Sequence, residues 1–277
     1  MKPALSLKRA LIGQVRAVFN DSARGEKPVV RTPDGLFGPQ SVVWRVHGDL
    51  VTMMVGGVTA LLLQMLHPAV LAGVWDHSQF RHDMLGRLRR TARFIAVTSY
   101  DTREAAEASI AKVRDVHTRV KGALPDGTPY AADDPRLLAW VHVTEAVSFL
   151  SAWIRYAEPT MSFADQDRYF AEFAIIAEAL GADPVPRSRA EAEALIAEMR
   201  EELVADGRTR DVARMVLDQP APNLAMKPFQ ALTFQAAIDL LPDWARRMHG
   251  LAGPGLATPA VRGGTVGIAK TMRWAFS

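Results

Sequence analysis

The chain has 277 residues, of which 49% are hydrophobic, so it is long and apolar enough to bury a large core. Its 33 Lys and Arg residues barely outnumber its 30 Asp and Glu residues, and a net charge of +3 is too small to predict a nucleic-acid-binding surface. The absence of cysteine excludes disulfides, thiolate metal sites and cysteine nucleophiles.

Residues 1–34 are predicted to form an N-terminal helical segment. The stretch from Met1 to Asn20 mixes Lys and Arg with apolar residues. It has neither the apolar centre nor the small-residue cleavage site of a secretory signal. We therefore expect a cytoplasmic protein.

A long apolar run, from Leu50 to Trp75, is the most distinctive feature of the sequence. Its polar side chains are Thr52, Thr59, Gln64 and His67. The run is long enough to cross a bilayer, but Pro68 breaks its helix and leaves roughly 16 apolar residues before the break. We predict a buried core helix, and association with a membrane surface stays open.

Several polar residues border the break or follow the run. Asp76, His77 and His82 have neither the i, i+4 spacing of a helical ligand pair nor a three-ligand metal pattern. His67, directly before Pro68, fits the end of a helix. We predict structural roles for these four residues.

A basic cluster comes next. Arg87, Arg90 and Thr91 share one helix face by their i, i+3, i+4 spacing. A solvated basic face is the ordinary interpretation of such a cluster. Because this one follows an unusually apolar helix, the alternative is that both guanidiniums face the interior and bind anions, such as the propionates of a haem.

Capping and turn residues then predict a series of helices. The first, over residues 102–121, begins at Thr102, has Glu104 in its first turn and stops at Gly122. A loop with Pro125-Asp126-Gly127 turn chemistry follows. Further helices are predicted at residues 135–157, 163–180, 189–206, 212–217, 228–241 and 242–251. No segment alternates with period two as strands do, so the predicted fold class is all-α.

The chain is predicted to be one multi-helix domain over residues 35–250. The best internal boundary, residues 182–189 with two prolines, is too short to be a linker between domains. The tail, residues 251–277, is rich in Gly, Pro and Thr, and we expect it to be loosely ordered apart from a short helix at 270–276.

His117 lies on the apolar face of the helix predicted at 102–121. The face comprises Ala106, Ile110, Val113, His117 and Val120. The ordinary interpretation is a neutral core histidine with both ring nitrogens hydrogen-bonded. A neutral imidazole on an apolar helix face is also typical of a proximal haem ligand.

Glu145 lies on the apolar face of the next helix, one turn after His142. A buried carboxylate is costly unless it is paired. It therefore indicates either a structural pair with His142 or a buried arginine, or a role at a cofactor. A di-iron carboxylate bundle is disfavoured because the chain lacks Glu-x-x-His motifs in that order.

An ordered series of motifs over residues 35–185 resembles the MpaB/rubber-oxygenase family, which includes the latex-clearing proteins. The motifs are Arg45-x-His47-Gly48-Asp49, Gly56-Gly57, Gln64-x-x-His67-Pro68, Gly73-Val74-x-Asp76-His77-Ser78, Arg87-x-x-Arg90-Thr91, Val116-His117-x-x-Val120-x-Gly122 and Trp140-Val141-His142-x-Thr144.

The resemblance implies a globin-reminiscent helical fold that binds haem b, with His117 as the proximal iron ligand. It implies that Arg87, Arg90 and Thr91 are haem-pocket and catalytic residues. Relatives that act on rubber have a lysine at the Arg90 position, and an arginine does not readily ligate iron. The wider set of expected cofactor contacts is His117, Arg87, Arg90, Thr91, Arg45, His142 and Glu145.

The function implied is a haem-dependent oxygenase, an oxidoreductase that acts with dioxygen on an apolar, isoprenoid- or lipid-like small molecule. Oxidative cleavage of a carbon–carbon double bond is the reaction of its better-studied relatives. Two alternatives stay open: a haem-binding sensor or carrier without turnover, and a haem-free helical protein that binds an apolar ligand. The sequence does not predict the oligomeric state.

Overall fold

The computed structural model describes Lys8, Gly13 and residues 27–276. Within that part of the chain the fold is all-α, as predicted, with twelve α-helices and one two-stranded hairpin. The predicted N-terminal helical segment, 1–34, lies largely outside the described residues. The elements are α1 (Val42–His47), α2 (Leu50–Gln64), α3 (Pro68–His77), α4 (Met84–Tyr100), α5 (Arg103–His117), β1 (Lys121–Ala123), β2 (Pro129–Ala131), α6 (Pro135–Tyr156), α7 (Phe163–Leu180), α8 (Arg189–Met199), α9 (Gly207–Leu217), α10 (Lys227–Leu240), α11 (Asp243–His249) and α12 (Thr258–Phe276).

The apolar run is broken where Pro68 predicts it. The side chain of Asp49 accepts a hydrogen bond from the Thr52 amide and starts α2, which ends at Gln64. His67 then caps α3 by accepting a hydrogen bond from the Ala69 amide at 3.3 Å, with Pro68 in the first turn. The two helices meet at a bend of 104°. Proline thus turns one apolar run into two differently directed walls of the core.

Helices α2 and α6 cross at very short range in the middle of the molecule. A Cβ atom on Gly56 would lie 2.8 Å from Cδ1 of Phe149 and 3.0 Å from the carbonyl oxygen of Ser148. Only glycine leaves room for this approach. The crossing anchors the main core, to which Trp140, Phe149 and Tyr169 contribute fully buried side chains.

Helix α6 is long and apolar enough to cross a membrane, as is the bent pair α2–α3 taken as one span. In the most apolar 18-residue stretch of α6, 61% of the residues are buried inside the molecule. The core helix of a soluble protein meets the same criterion, so length and composition alone are weak grounds for a membrane span.

The helix predicted at 102–121 ends four residues early, at His117. Val120 lies beyond the helix, where its carbonyl oxygen accepts a hydrogen bond from the Ala132 amide at 2.9 Å. The predicted loop is largely a β-hairpin, with Gly127 at φ 89° in the expected turn. Strands of three residues are too short to show a period-two pattern in the sequence.

Two helix boundaries near the middle of the chain also differ from the prediction. The helix predicted at 189–206 ends at Met199 and continues as a 3₁₀ turn at Arg200–Glu202. Helix α9 begins at Gly207 instead of residue 212, because Asp206 and Thr209 form a reciprocal capping box.

The C-terminal tail is well packed, which corrects the expectation of loose order. Helix α12 spans Thr258–Phe276 and contacts α2 and α10. Arg273 in its last turn donates a hydrogen bond to the buried Asp49 and another, at 3.1 Å, to the carbonyl oxygen of Tyr156. The glycines of the tail give α12 a low intrinsic helix propensity, which tertiary contacts override.

Candidate functional site

Arg87 and His117 both lie near the ends of α4 and α5 that are remote from the connection between these helices. The two helices contact each other and are joined only by Asp101 and Thr102, and such a short connection favours an antiparallel arrangement. Arg87 lies 14 residues before Asp101, and His117 lies 15 residues after Thr102. At about 1.5 Å per residue, both lie about 20 Å from the connection.

His117 has a neutral, partly buried imidazole with an unfilled hydrogen-bonding position. Its Nδ1 is buried and has no hydrogen-bond partner among the described residues. Burial lowers the pKa of His117, against a smaller opposing effect of Asp133. The described residues thus leave one ring nitrogen of His117 without the hydrogen bond that a fully satisfied core histidine would make. A neutral imidazole is the form that ligates metals.

The chain directly after His117 is held by the hairpin and by the end of α3. Asp76 accepts a hydrogen bond from the Tyr130 hydroxyl at 2.8 Å, and Nε2 of His77 donates to the Lys121 carbonyl oxygen at 3.1 Å. A Cβ atom on Gly73 would lie 3.6 Å from Cγ1 of Val120. The broken apolar run thus ends against the segment that carries His117, and Asp76 and His77 make structural contacts there.

Arg87 is a partly buried cation without a counter-charge. Burial, helped by the nearby Arg90, lowers the pKa of Arg87 to about 10. No carboxylate between residues 27 and 276 forms an ion pair with it. The guanidinium stays protonated at neutral pH, and its geometry suits a carboxylate or another planar anion.

The other predicted residues of the basic cluster are more exposed. The Arg90 side chain is 53% exposed and pairs with Asp83 at 3.3 Å. Thr91 is exposed on the same turn. For Arg90, the solvated-face interpretation describes the structure better than an interior orientation does.

Arg45 is not brought to this place. Its exposed side chain pairs with Asp165 at 2.7 Å and with Glu158 at 3.5 Å, near the start of α7. These two carboxylates satisfy the guanidinium. The structure therefore gives Arg45 an ion-pair role and offers no support for the predicted cofactor contact.

Glu145 and His142 both face the interior from α6, but they are not paired with each other. Burial raises the pKa of Glu145 to about 7, with a hydrogen bond from the Gln64 side chain acting in the opposite direction. His142 packs on Phe173, its Nε2 is buried without a partner, and burial lowers its pKa to about 4. The predicted structural pair is therefore not formed.

A buried hydrogen-bonded network next to these residues is not predicted by the sequence patterns. His47 shares hydrogen bonds with the Ser99 hydroxyl at 2.8 Å and with the Tyr169 hydroxyl at 2.9 Å. Burial lowers the pKa of His47 to about 3, so it is neutral. The one signal in the sequence is that His47 falls within the Arg45-x-His47-Gly48-Asp49 motif. Its partners come from α4 and α7, far along the chain.

No three His, Asp or Glu side chains converge as a metal site within the described part of the chain. A haem needs only one protein ligand to its iron, so this observation leaves the role of His117 open.

Residues 44–275 match the family described as "ER-bound oxygenase mpaB/B'/Rubber oxygenase, catalytic domain". The match covers most of the chain and includes α12. No curated protein and no solved structure matches the chain.

Proposed function

The chain belongs to the mpaB/rubber-oxygenase catalytic-domain family, and from this premise we propose that it is a haem b-dependent oxygenase. The family is one of oxygenases, which makes the protein an oxidoreductase that uses dioxygen and a small-molecule substrate. The haem, the identity of the substrate and the roles of individual residues are the proposed part.

One observation carries the proposal: a partnerless neutral histidine and a partnerless cation lie near the ends of α4 and α5 that are remote from the short connection between these helices. The described residues satisfy neither Nδ1 of His117 nor the guanidinium of Arg87. An iron-bound porphyrin with its propionates would satisfy both needs at once, because imidazole ligates iron and guanidinium binds carboxylate. The residues present therefore fit the group.

Each residue then has a definite task. His117 would hold the iron, and the backbone contacts of Val120 and the hairpin would fix its position. Arg87 would bind a propionate or orient a polar ligand. Arg90 and Thr91, one turn further on, would contact the exposed edge of the group. When bound, haem supplies the redox chemistry that activates dioxygen.

The surrounding side chains favour an apolar substrate. Several apolar residues of α2, α3 and α4 pack against the core and yet stay only partly buried: Met53, Val58, Val70, Phe94 and Ile95. Such a lining excludes water and binds hydrocarbon through the hydrophobic effect. We propose an isoprenoid- or lipid-like molecule, with oxidative cleavage of a carbon–carbon double bond as the reaction.

Absorption spectroscopy tests the proposal directly. Purified protein, reconstituted with haem if necessary, should show a Soret band, and His117→Ala should shift or abolish it. His82→Ala, which changes an exposed histidine, is the matched control and should leave the spectrum unchanged. If His117→Ala behaves like the control, the ligand assignment is wrong.

Oxygen consumption separates the oxygenase from the two alternatives. The haem-loaded protein should consume dioxygen when an unsaturated isoprenoid is added. A Soret band without oxygen uptake would indicate a sensor or carrier. Protein that binds no haem at all would indicate a haem-free apolar-ligand-binding protein.

A further inference from the structure

Glu145 is an isolated carboxyl group inside an apolar part of the molecule. It lies in the middle of α6, opposite α2, a helix without any charged residue. No Lys, Arg or His within residues 27–276 forms an ion pair with it. A largely buried carboxyl without a counter-charge is costly, so a structural role alone gives a weak reason for it.

The neighbours of Glu145 leave much of its hydrogen-bonding capacity unused. The Gln64 side chain lies close enough to Glu145 to oppose the rise in its pKa, and its amide donates a hydrogen bond, at 3.3 Å, to the Val141 carbonyl oxygen. The pKa of Tyr169 is raised by burial and, to a smaller extent, by the charge of Glu145. Its hydroxyl is hydrogen-bonded to His47 and not to Glu145. A protonated carboxyl group has one donor and several acceptor positions, and Gln64 accounts for at most one of these.

The face of α6 that carries Glu145 is not fully covered by protein. Glu145 and Val141, one turn apart on α6, both keep accessible surface although the buried Trp140, His142 and Ala146 surround them on the helix. Nearby helices contribute the partly buried apolar side chains that we propose to line the substrate site. Glu145 is thus a polar residue on an otherwise apolar surface.

We propose that Glu145, held by Gln64, is a specificity-determining contact that selects apolar ligands carrying one neutral hydrogen-bonding group, such as a hydroxyl. The inference rests on the proposed function, because the ligand is taken to occupy the substrate space. A hydrocarbon without such a group leaves the carboxyl unpaired. An alcohol of equal length fills it by donating to, or accepting from, the carboxyl group.

The expected discrimination follows from the cost of a buried, unpaired polar group. That cost corresponds to a factor of about ten or more in the binding constant. An alcohol and a hydrocarbon also differ in how strongly water hydrates them before they bind, and this difference affects both dissociation constants. The informative quantity is therefore the ratio of the two dissociation constants, compared between wild type and variants.

The experiment measures displacement of a fluorescent apolar dye by 1-decanol and by decane, in the wild type, Glu145→Leu and Glu145→Gln. The measured quantity is the dissociation constant for decane divided by that for decanol. This ratio should be about tenfold higher in the wild type than in Glu145→Leu. Glu145→Gln keeps hydrogen-bonding atoms at the same place and should retain the ratio within about twofold.

Two results would overturn the proposal. One is a ratio that Glu145→Leu leaves unchanged. The other concerns decylamine, measured in the same way. If Glu145→Leu loses affinity for decylamine but not for decanol, the contact is an ion pair. If Glu145→Leu does not fold, infrared difference spectra replace the binding measurement. In the wild type, the C=O stretch of the Glu145 carboxyl group should shift when decanol is added and should not shift with decane. This band should be absent from the spectra of Glu145→Gln.

Failure of this proposal is distinguishable from failure of the haem assignment. Dye displacement is measured on the protein both as purified and after haem loading, whereas the Soret band reports haem alone. A normal ratio without a Soret band would refute only the oxygenase proposal. A Soret band with an unchanged ratio in Glu145→Leu would refute only the role of Glu145.

Discussion

At the scale of single residues, burial acts in opposite directions on the ionisable groups of the interior. It lowers the pKa of His47 to about 3 and that of His142 to about 4, so both are neutral over the physiological range. It raises the pKa of Glu145 to about 7. Burial disfavours the charged form in each case. Of these three groups, only Glu145 changes charge near neutral pH.

This difference predicts a pH dependence of stability that belongs to Glu145. The folded protein keeps the carboxyl proton up to about pH 7, whereas the unfolded chain loses it near 4.5. The contribution of Glu145 to the free energy of unfolding therefore falls by up to about 3 kcal/mol as the pH rises from about 4.5 to about 7. Above pH 7 it stays constant.

Glu145→Gln isolates this contribution. The two buried histidines give the opposite slope, since their stabilising effect is lost as the pH falls below 6.5, but they are common to both proteins. Denaturant unfolding from pH 5 to pH 8 should show the variant gaining stability relative to the wild type as the pH rises. A pH-independent difference would mean that Glu145 titrates normally.

At the scale of elements, two adjacent glycines of α2 have different tasks. Gly56 sits at the crossing with α6, where an added Cβ atom would be 2.8 Å from Cδ1 of Phe149. Gly57 is one residue further on, and its nearest contact would be 3.8 Å, to Cε1 of the same ring. The motif Gly56-Gly57 therefore combines one glycine required for packing with one that is not.

Replacing each glycine by alanine should have clearly different effects on stability. Gly56→Ala should lower the free energy of unfolding by roughly 1–3 kcal/mol, because backbone and ring atoms must shift at the crossing. Gly57→Ala should be neutral or raise it by up to about 1 kcal/mol, since alanine is the better helix former. Equal effects in denaturant unfolding would mean that the helices do not cross at Gly56.

The elements show what local sequence signals can predict. Helix α7 has the predicted bounds, Phe163–Leu180, because Ser162 caps its start and Gly181 adopts a left-handed conformation at its end. The break at Pro68 and the presence of His117 within a helix follow from equally local signals, although His117 is the last helical residue and is only partly buried. The isolation of Glu145 and the hydrogen bonds of His47 depend on contacts between distant segments, which one sequence does not encode in any periodicity.

At the scale of the whole molecule, the C-terminal helix closes the core. Helix α12 covers two apolar clusters formed with α2, α6 and α10, in which Val51, Val55, Ala236 and Ala237 are fully buried. It could not be predicted from its glycine-rich sequence because its helix exists through these contacts. The family match, which extends to residue 275, agrees with α12 being part of the domain.

The pair formed by Arg273 and Asp49 ties α12 to the start of the apolar run, and it should be energetically coupled. The Asp49 side chain is 4% exposed and also caps α2, so loss of Arg273 leaves a buried carboxylate with one partner fewer. Arg273→Ala should destabilise the protein, and Asp49→Ser keeps an acceptor for the cap while removing the charge. In a double-mutant cycle measured by denaturant unfolding, the coupling energy should be roughly 1–2 kcal/mol. It should weaken little in high salt, because the carboxylate is shielded from solvent. A coupling near zero would show that α12 is held by apolar contacts alone.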